Sequence, residues 1–243
     1  VSSTFKTLAE KLTIYSQPEQ AIQSIQNALE AKKTVTVAFA NAHGFNLAKQ
    51  NKDFYQHLLN SDFVFRDGIG VKLLFKNLNM DFGFNLNGTD FIPQLLSHLA
   101  NKSSQSSTPL KLAIFGTSDE ILQSAKPAFE KLGLEVVAVK NGFASAEDYV
   151  SLSKSVQADI YLLAMGMPKQ EMVAMQLTTE LDKGLIICGG AIVDFLGGKV
   201  KRAPSFIRNM GLEWLYRLLI EPKRMFKRYV IGNVKFLYST LHA

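Results

Sequence analysis

The sequence predicts an α/β fold: a mostly parallel sheet with helices on both faces, followed by a basic helical tail. Three observations predict it. Short β-rich runs alternate with helical stretches from residue 17 to residue 190. Several of these runs, ADIYLLAMG and GLIICGG among them, are apolar throughout. Continuous apolar runs mark strands covered on both faces, which is how parallel sheets are buried. Beyond residue 203 the pattern turns helical, basic and aromatic, with no further strand run.

The elements follow in order. Residues 17–31 carry apolar side chains at helical spacing, and TVTVAFA (34–40) is a strand ending at Asn41. Residues 45–60 read as one helix, FVFRD (63–67) as a strand ending in Asp67-Gly68, and 69–76 as a helix. Thr89 and Asp90 open a helix to about Ala100, and NKSSQSSTP (101–109) is a polar loop between two halves. LKLAIFG (110–116) is a strand, then Ser118 caps a helix to Leu132. A strand over 135–142 precedes a helix capped by Ser145 and running to about Val156. The strand 158–166 leads to a helix whose first turn suits Pro168, and 184–190 is the last strand.

The 243 residues are 47% hydrophobic and 20% charged, which excludes a disordered chain and suits one or two domains. A single cysteine, Cys188, excludes a disulfide framework or a cysteine-rich zinc site and reads as an inert core residue. The start of the chain lacks the segments of a signal peptide, and no apolar run is long enough to span a bilayer. A cytoplasmic protein is expected. The net charge of +6 is uneven: residues 199–235 hold ten Lys or Arg and only Glu213 and Glu221, a local +8, while the rest is nearly neutral. Something anionic is expected to meet that end. The tail also mixes Trp214, Tyr216, Phe226 and Tyr229 with Lys223, Arg224, Lys227 and Arg228. Such a stretch fits a membrane-surface helix, or equally a terminal helix with a solvated basic face.

In parallel sheets ligands bind beyond the C-terminal ends of the strands. That rule selects Asn41, Asp67-Gly68, Gly116-Thr117, Asn141-Gly142, Gly166-Met167 and Gly189-Gly190. No GxGxxG fingerprint follows the first strand and no GxxxxGK[ST] loop is present, so nicotinamide or ATP chemistry is disfavoured. The histidines show no metal-ligand spacing and there is no Asp-x-Asp pair, so no metal and no cofactor are expected. Asp67 stands where a general base would be placed, or where an ordinary helix cap would be. In GMPKQE (166–171), Lys169 and Gln170 lie in the first turn of a helix, an anion site or a solvated charge pair.

Together GMPKQE (166–171), GGAIVDFLGGKVKRAP (189–204) and GLEWLYRLLIEPKR (211–224) resemble the WecG/TagA/CpsF family of bacterial glycosyltransferases, and RDGIGV (66–71) and NGTDF (87–91) match its earlier motifs. The similarity spans roughly residues 34–237 in the right order. It implies a Rossmann-like catalytic domain (1–203) and a helical appendage (204–243) that completes the site at the membrane. It implies a metal-independent, inverting transfer of a sugar from a UDP-sugar onto a polyprenyl-diphosphate-linked saccharide, feeding surface polysaccharide (capsule, exopolysaccharide, teichoic acid or common antigen). The work would be done at the inner face of the cytoplasmic membrane. By the same resemblance Asp67 is the general base, Asn41 and Gln170 contact donor or acceptor, and Arg217 and Arg224 neutralise the leaving diphosphate. Gly142, Gly166, Lys169, Asp194 and Arg202 are the expected nucleotide-sugar contacts.

Three residues depart from the family pattern near the expected sugar pocket: Phe39 for a hydroxyl residue, His43 for an acid, and Asn85 for an arginine. The family's N-acetylmannosamine-type donors therefore do not transfer directly. The basic segment alone would also suit a non-enzymatic membrane- or nucleic-acid-binding protein, which would leave Asp67 and Gln170 without a role. With the transferase reading no nucleic-acid partner is expected. A soluble oligomer and a membrane-bound monomer both satisfy the tail's apolar surface.

Overall fold

A computed structural model describes residues 1–32, 34–104 and 108–241. Its centre is a six-stranded parallel sheet in the order β2-β1-β6-β5-β3-β4. The strands are β1 (Thr34–Ala40), β2 (Phe63–Arg66), β3 (Leu110–Gly116), β4 (Leu134–Lys140), β5 (Ile160–Ala164) and β6 (Gly184–Cys188). Each lies where its apolar run predicts, and every pairing is parallel.

The alternation of side chains along each strand feeds two cores. Val35, Val37 and Phe39 point to one face, with Leu112, Ile114, Leu162 and Ile187. There they meet α2 (Pro18–Ala31), α6 (Gly88–Ser104), α7 (Asp119–Glu130) and α10 (Ile192–Leu196). Ala38 and Ala40 point to the other, with Phe115, Tyr161, Leu163 and Cys188. That face is covered by α1 (Ser3–Lys11), α3 (Ala42–Gln50), α4 (Lys52–Asn60), α5 (Ile69–Asn77), α8 (Ala146–Val156) and α9 (Lys169–Glu180). Full burial of each such Leu, Ile or Phe contributes about 1.5–3 kcal/mol.

Several boundaries differ from the sequence expectation. The stretch 45–60 is two helices, because Asn51 adopts an extended conformation that ends α3 and its side chain caps α4 by accepting from Phe54 N. Helix α1, absent from the expected elements, seals the second core with Phe5 and Leu8. The expected loop 101–109 begins late, since α6 runs to Ser104, and residues 105–107 of it lie outside the described residues.

The tail is helical as expected: α11 (Ser205–Asn209), α12 (Glu213–Ile220), α13 (Pro222–Met225), a π-helical turn (Phe226–Ile231) and α14 (Gly232–Leu241). It does not stand clear of the body. Phe236 of α14 is 1% exposed and packs against the rings of Phe5 and Phe45. Asn46 Nδ2 donates to Gly232 O and Asn77 Nδ2 to Thr240 O, fixing α14 on α3 and α5.

Candidate active site

The C-terminal ends of β1 and β2 place Asn41 beside Asp67. Asn41 caps α3, its Oδ1 accepting from Gly44 N, so its Nδ2 is turned toward Asp67 Oδ2 at 3.5 Å. Asp67 does not cap the helix after it. The cap position of α5 belongs to Gly68, at φ 90°, with no side-chain cap bond. A positive φ is what glycine permits at a tight turn. Asn85 Oδ1 accepts from Gly68 N and from Arg66 Nη1, and the buried Arg66 also donates to the carbonyls of Phe82, Gly68 and Gly83. The turn that aims Asp67 is thus braced from below.

Burial pushes the Asp67 carboxyl above the ordinary carboxylate range. The Asn41 contact and the charges of Arg228 and Arg66 oppose that rise, while Glu213 adds to it. Arg228 and Glu213 come from the tail, so the tail reaches the strand ends. Arg228 also acts on His43, whose ring is held neutral, its pKa pushed down to about 4 by burial first and Arg228 second.

Beside this lies a knot of arginines. Asp90 Oδ1 accepts from Arg202 Nη1 at 2.5 Å and Arg208 Nη1 at 3.1 Å. Burial works to raise the Asp90 carboxyl, but Arg202, Asn87 and Arg208 together hold it below its usual range. The guanidinium groups of Arg202 and Arg217 both lie over the ring of Phe195, at 5.7 and 5.2 Å. Glu221 Oε2 faces Arg224 Nη2 at 2.6 Å and Arg217 Nη2 at 3.6 Å. Several buried donors in this group make no hydrogen bond to the protein: Nη2 of Arg202, and Nε of Arg208, Arg217 and Arg228, while Nε of Arg202 faces Glu213 Oε1 at 3.6 Å. Guanidinium donors of this kind form strong charge-assisted bonds to anionic oxygens once such oxygens reach them.

The remaining predicted residues gather at the ends of β3 to β6. Thr117, at φ 46°, donates its hydroxyl to Asp194, which also pairs with Lys199. Gly142 N donates to Thr117 O, and a Cβ on Gly142 would come within 3.1 Å of Thr117 N. Lys169 Nζ donates to Gly142 O and Ala144 O, so its amine holds the loop after β4. Gln170, 1% exposed, has its Oε1 facing the backbone amides of Gly166 and Gly190. Three groups of predicted residues therefore form. Asp67 and Asn41 lie together under Arg228 of the tail, Arg202, Arg217 and Arg224 gather about Asp90, Phe195 and Glu221, and Gly142, Gly166, Lys169, Gln170 and Asp194 ring the other strand ends. Among the described residues no three His, Cys, Asp or Glu side chains are placed to hold a metal ion.

A profile of the glycosyl transferase WecG/TagA/CpsF family matches residues 10–243. The chain belongs to that family. It is similar to the N-acetylglucosaminyldiphosphoundecaprenol N-acetyl-beta-D-mannosaminyltransferase of Bacillus subtilis (strain 168), 27% identical over 182 residues, 73% of this chain and 68% of that one. It is also similar to the transferase of the same name from Bacillus spizizenii, 28% identical over 221 residues, covering 88% and 81% of the two chains. This WecG/TagA/CpsF glycosyltransferase carries its motifs on the strand-end side of the sheet. RDGIGV forms the Asp67 turn, NGTDF supplies Asp90, and the tail motif supplies Arg217 and Arg224.

The three departures take different positions. Phe39 is buried against Phe65 and Phe91, away from open space, and Asn85 braces Gly68. His43 shares the field of Arg228 with Asp67. Arg228 and Arg208 are the residues that sequence reasoning left among ten basic ones. No local signal separates them, because only the folded path of the tail shows which arginine turns inward.

Proposed function

We propose that this glycosyltransferase moves a sugar from a UDP-sugar onto a polyprenyl-diphosphate-linked saccharide, without a metal and with inversion, in the synthesis of a bacterial surface polysaccharide. The observation that carries the reading is Asp67: a carboxylate at a strand end, released from capping by Gly68, raised by burial and faced by Asn41 and the tail. The names of both Bacillus relatives support the acceptor class.

In this reading Asp67 accepts the proton of the acceptor hydroxyl as that oxygen attacks the anomeric carbon. A raised carboxylate is a better base for that proton, and the hydroxyl acidifies only as the new bond forms. The bond to the UDP oxygen breaks on the opposite face, and charge grows on the diphosphate. Arg217, Arg224 and Arg202 meet that charge, which counts most as the bond breaks. Gly142, Gly166, Lys169, Gln170 and Asp194 hold or border the nucleotide-sugar, and Asn41 keeps Asp67 aligned.

The tail is read as resting on anionic lipid near the acceptor. Its support is the exposed apolar set Leu219 (74% exposed), Phe226, Val234 and Leu237 beside Lys223, Lys227 and Lys235. Among the described residues no helix is long and apolar enough to cross a membrane. The test is UDP release from a panel of UDP-sugars with a polyprenyl-diphosphate-linked GlcNAc acceptor and EDTA present. Release that needs the acceptor and survives EDTA is expected for one donor. Release abolished by EDTA would overturn metal independence, and no acceptor-dependent release would overturn the reading.

A further inference from the structure

The first turn of α9 gathers three strand ends. Lys169 holds the loop after β4 through two carbonyls, and Gln170 Oε1 accepts from Gly166 N at 3.3 Å after β5 and from Gly190 N at 3.1 Å after β6. Both glycines sit at positive φ, 83° and 59°, which glycine adopts freely, and the Gln170 oxygen is the side-chain acceptor that meets both amides. One oxygen serving two amides works only if the Gln170 amide is turned one way. The reverse orientation sets its NH2 against two N–H donors.

One side chain selects that orientation. Gln170 Nε2 donates to Glu171 Oε1 at 2.8 Å, and Glu171 is 2% exposed. Its other oxygen, Oε2, has no protein partner. It borders a cavity of about 10 Å³ lined by Thr36, His57, Asn60 and Ser61, into which His57 brings another unpaired atom, Nδ1. That volume suits a single water with polar partners on two sides. An acid in such a place is costly, and a residue needed only to fill the space would be apolar.

We infer that Glu171 is a positioning residue of the donor site: by accepting from Gln170 Nε2 it fixes the amide that holds the loops after β5 and β6 in register. Glu171 touches no substrate and acts through Gln170. The inference rests on the reading that those loops border the nucleotide-sugar.

The test compares Glu171→Met, which keeps the volume and loses the acceptor, with Glu171→Gln, which keeps an acceptor oxygen. UDP affinity by calorimetry, the split of donor KM against kcat, and amide exchange at Gly166 and Gly190 are the readouts. Glu171→Met is expected to weaken UDP binding and raise donor KM about tenfold or more, with kcat changed less and faster exchange at both glycines. Glu171→Gln stays near wild type. If Glu171→Met does not fold, the exchanged pair decides. Gln170→Glu alone sets two carboxylates together and weakens UDP binding, and adding Glu171→Gln restores a donor between them and the affinity. Wild-type UDP affinity and exchange in Glu171→Met, or no rescue by the exchanged pair, overturns the inference. Should the wild type bind no UDP and turn over no donor, the transferase reading fails instead. Exchange at the two glycines then still reports whether Glu171 holds the loops.

Discussion

Half-buried Asp67 and fully buried Glu171 are both acids held above their ordinary pKa, and the two differ in what replaces them. Protonation of Asp67 in the folded state is favoured, so the stability it supplies is present at low pH and lost as pH rises through its raised value. Asp67→Asn is therefore expected to melt higher than wild type at neutral pH and to match it in acid, while kcat falls on the order of 10²–10⁴-fold and UDP affinity persists. Melting curves beside turnover check this, and equal turnover would remove Asp67 as base. The same base should make wild-type kcat fall, as pH is lowered, at a higher pH than an ordinary carboxylate would give. Glu171 has its folded pKa pushed up to about 7 from an unfolded value of 4.5. Its contribution is full below 4.5 and lost as pH rises through 7. Glu171→Gln is expected to gain up to about 3 kcal/mol over wild type at pH well above neutrality, and much less in acid. Thermal melts across pH read that difference. Cys188 was legible as inert from its apolar run, and burial raises its thiol well above the usual range.

At the scale of elements, all six strands were legible because each is a bounded apolar run that no helix of that length would share. The break at Asn51 was not, since a cap inside a continuous amphipathic pattern changes no periodicity. Helix α1 was missed because its nine residues offer only Phe5, Leu8 and Ala9 to the core. The tail was half legible. The π-helical turn at Phe226–Ile231 adds a residue to the turn and shifts every later side chain around the axis. A 3.6-residue periodicity therefore gives no reason to single out Phe236, which the structure buries, or Arg228, which it turns toward Asp67. The first turn of α9 supplies a prediction of its own. Lys169→Met removes the tie to Gly142 O and Ala144 O and is expected to speed amide exchange across residues 141–145 without lowering Asp67-dependent chemistry in proportion. Unchanged exchange would show that the loop stands without it.

For the whole molecule, aromatic packing joins residues on both sides of the division at 203 that the family resemblance implies. Phe236 completes a cluster with Phe5 and Phe45, and its replacement by Ala is expected to cost about 3–5 kcal/mol in a denaturant titration. The outward face of the tail belongs to a different interaction. Replacing Lys223, Lys227 and Lys235 by Glu is expected to abolish cosedimentation with anionic vesicles while leaving the melting temperature within a few degrees, because these side chains do not enter the core. Retained sedimentation would assign the basic face to solvent.

The meeting of Phe5 with Phe236 has a bearing on how the chain is made. A ribosome delivers Phe5 and Phe45 early, and their ring partner arrives only when residue 236 has left the exit tunnel. Until then an aromatic slot on the nascent domain stays open. Arg202, Arg217, Arg224 and Arg228 all emerge in the interval just before the slot closes. A newborn molecule thus acquires its arginines and seals its interior in one late step, and translation arrested before that step yields a sheet with neither.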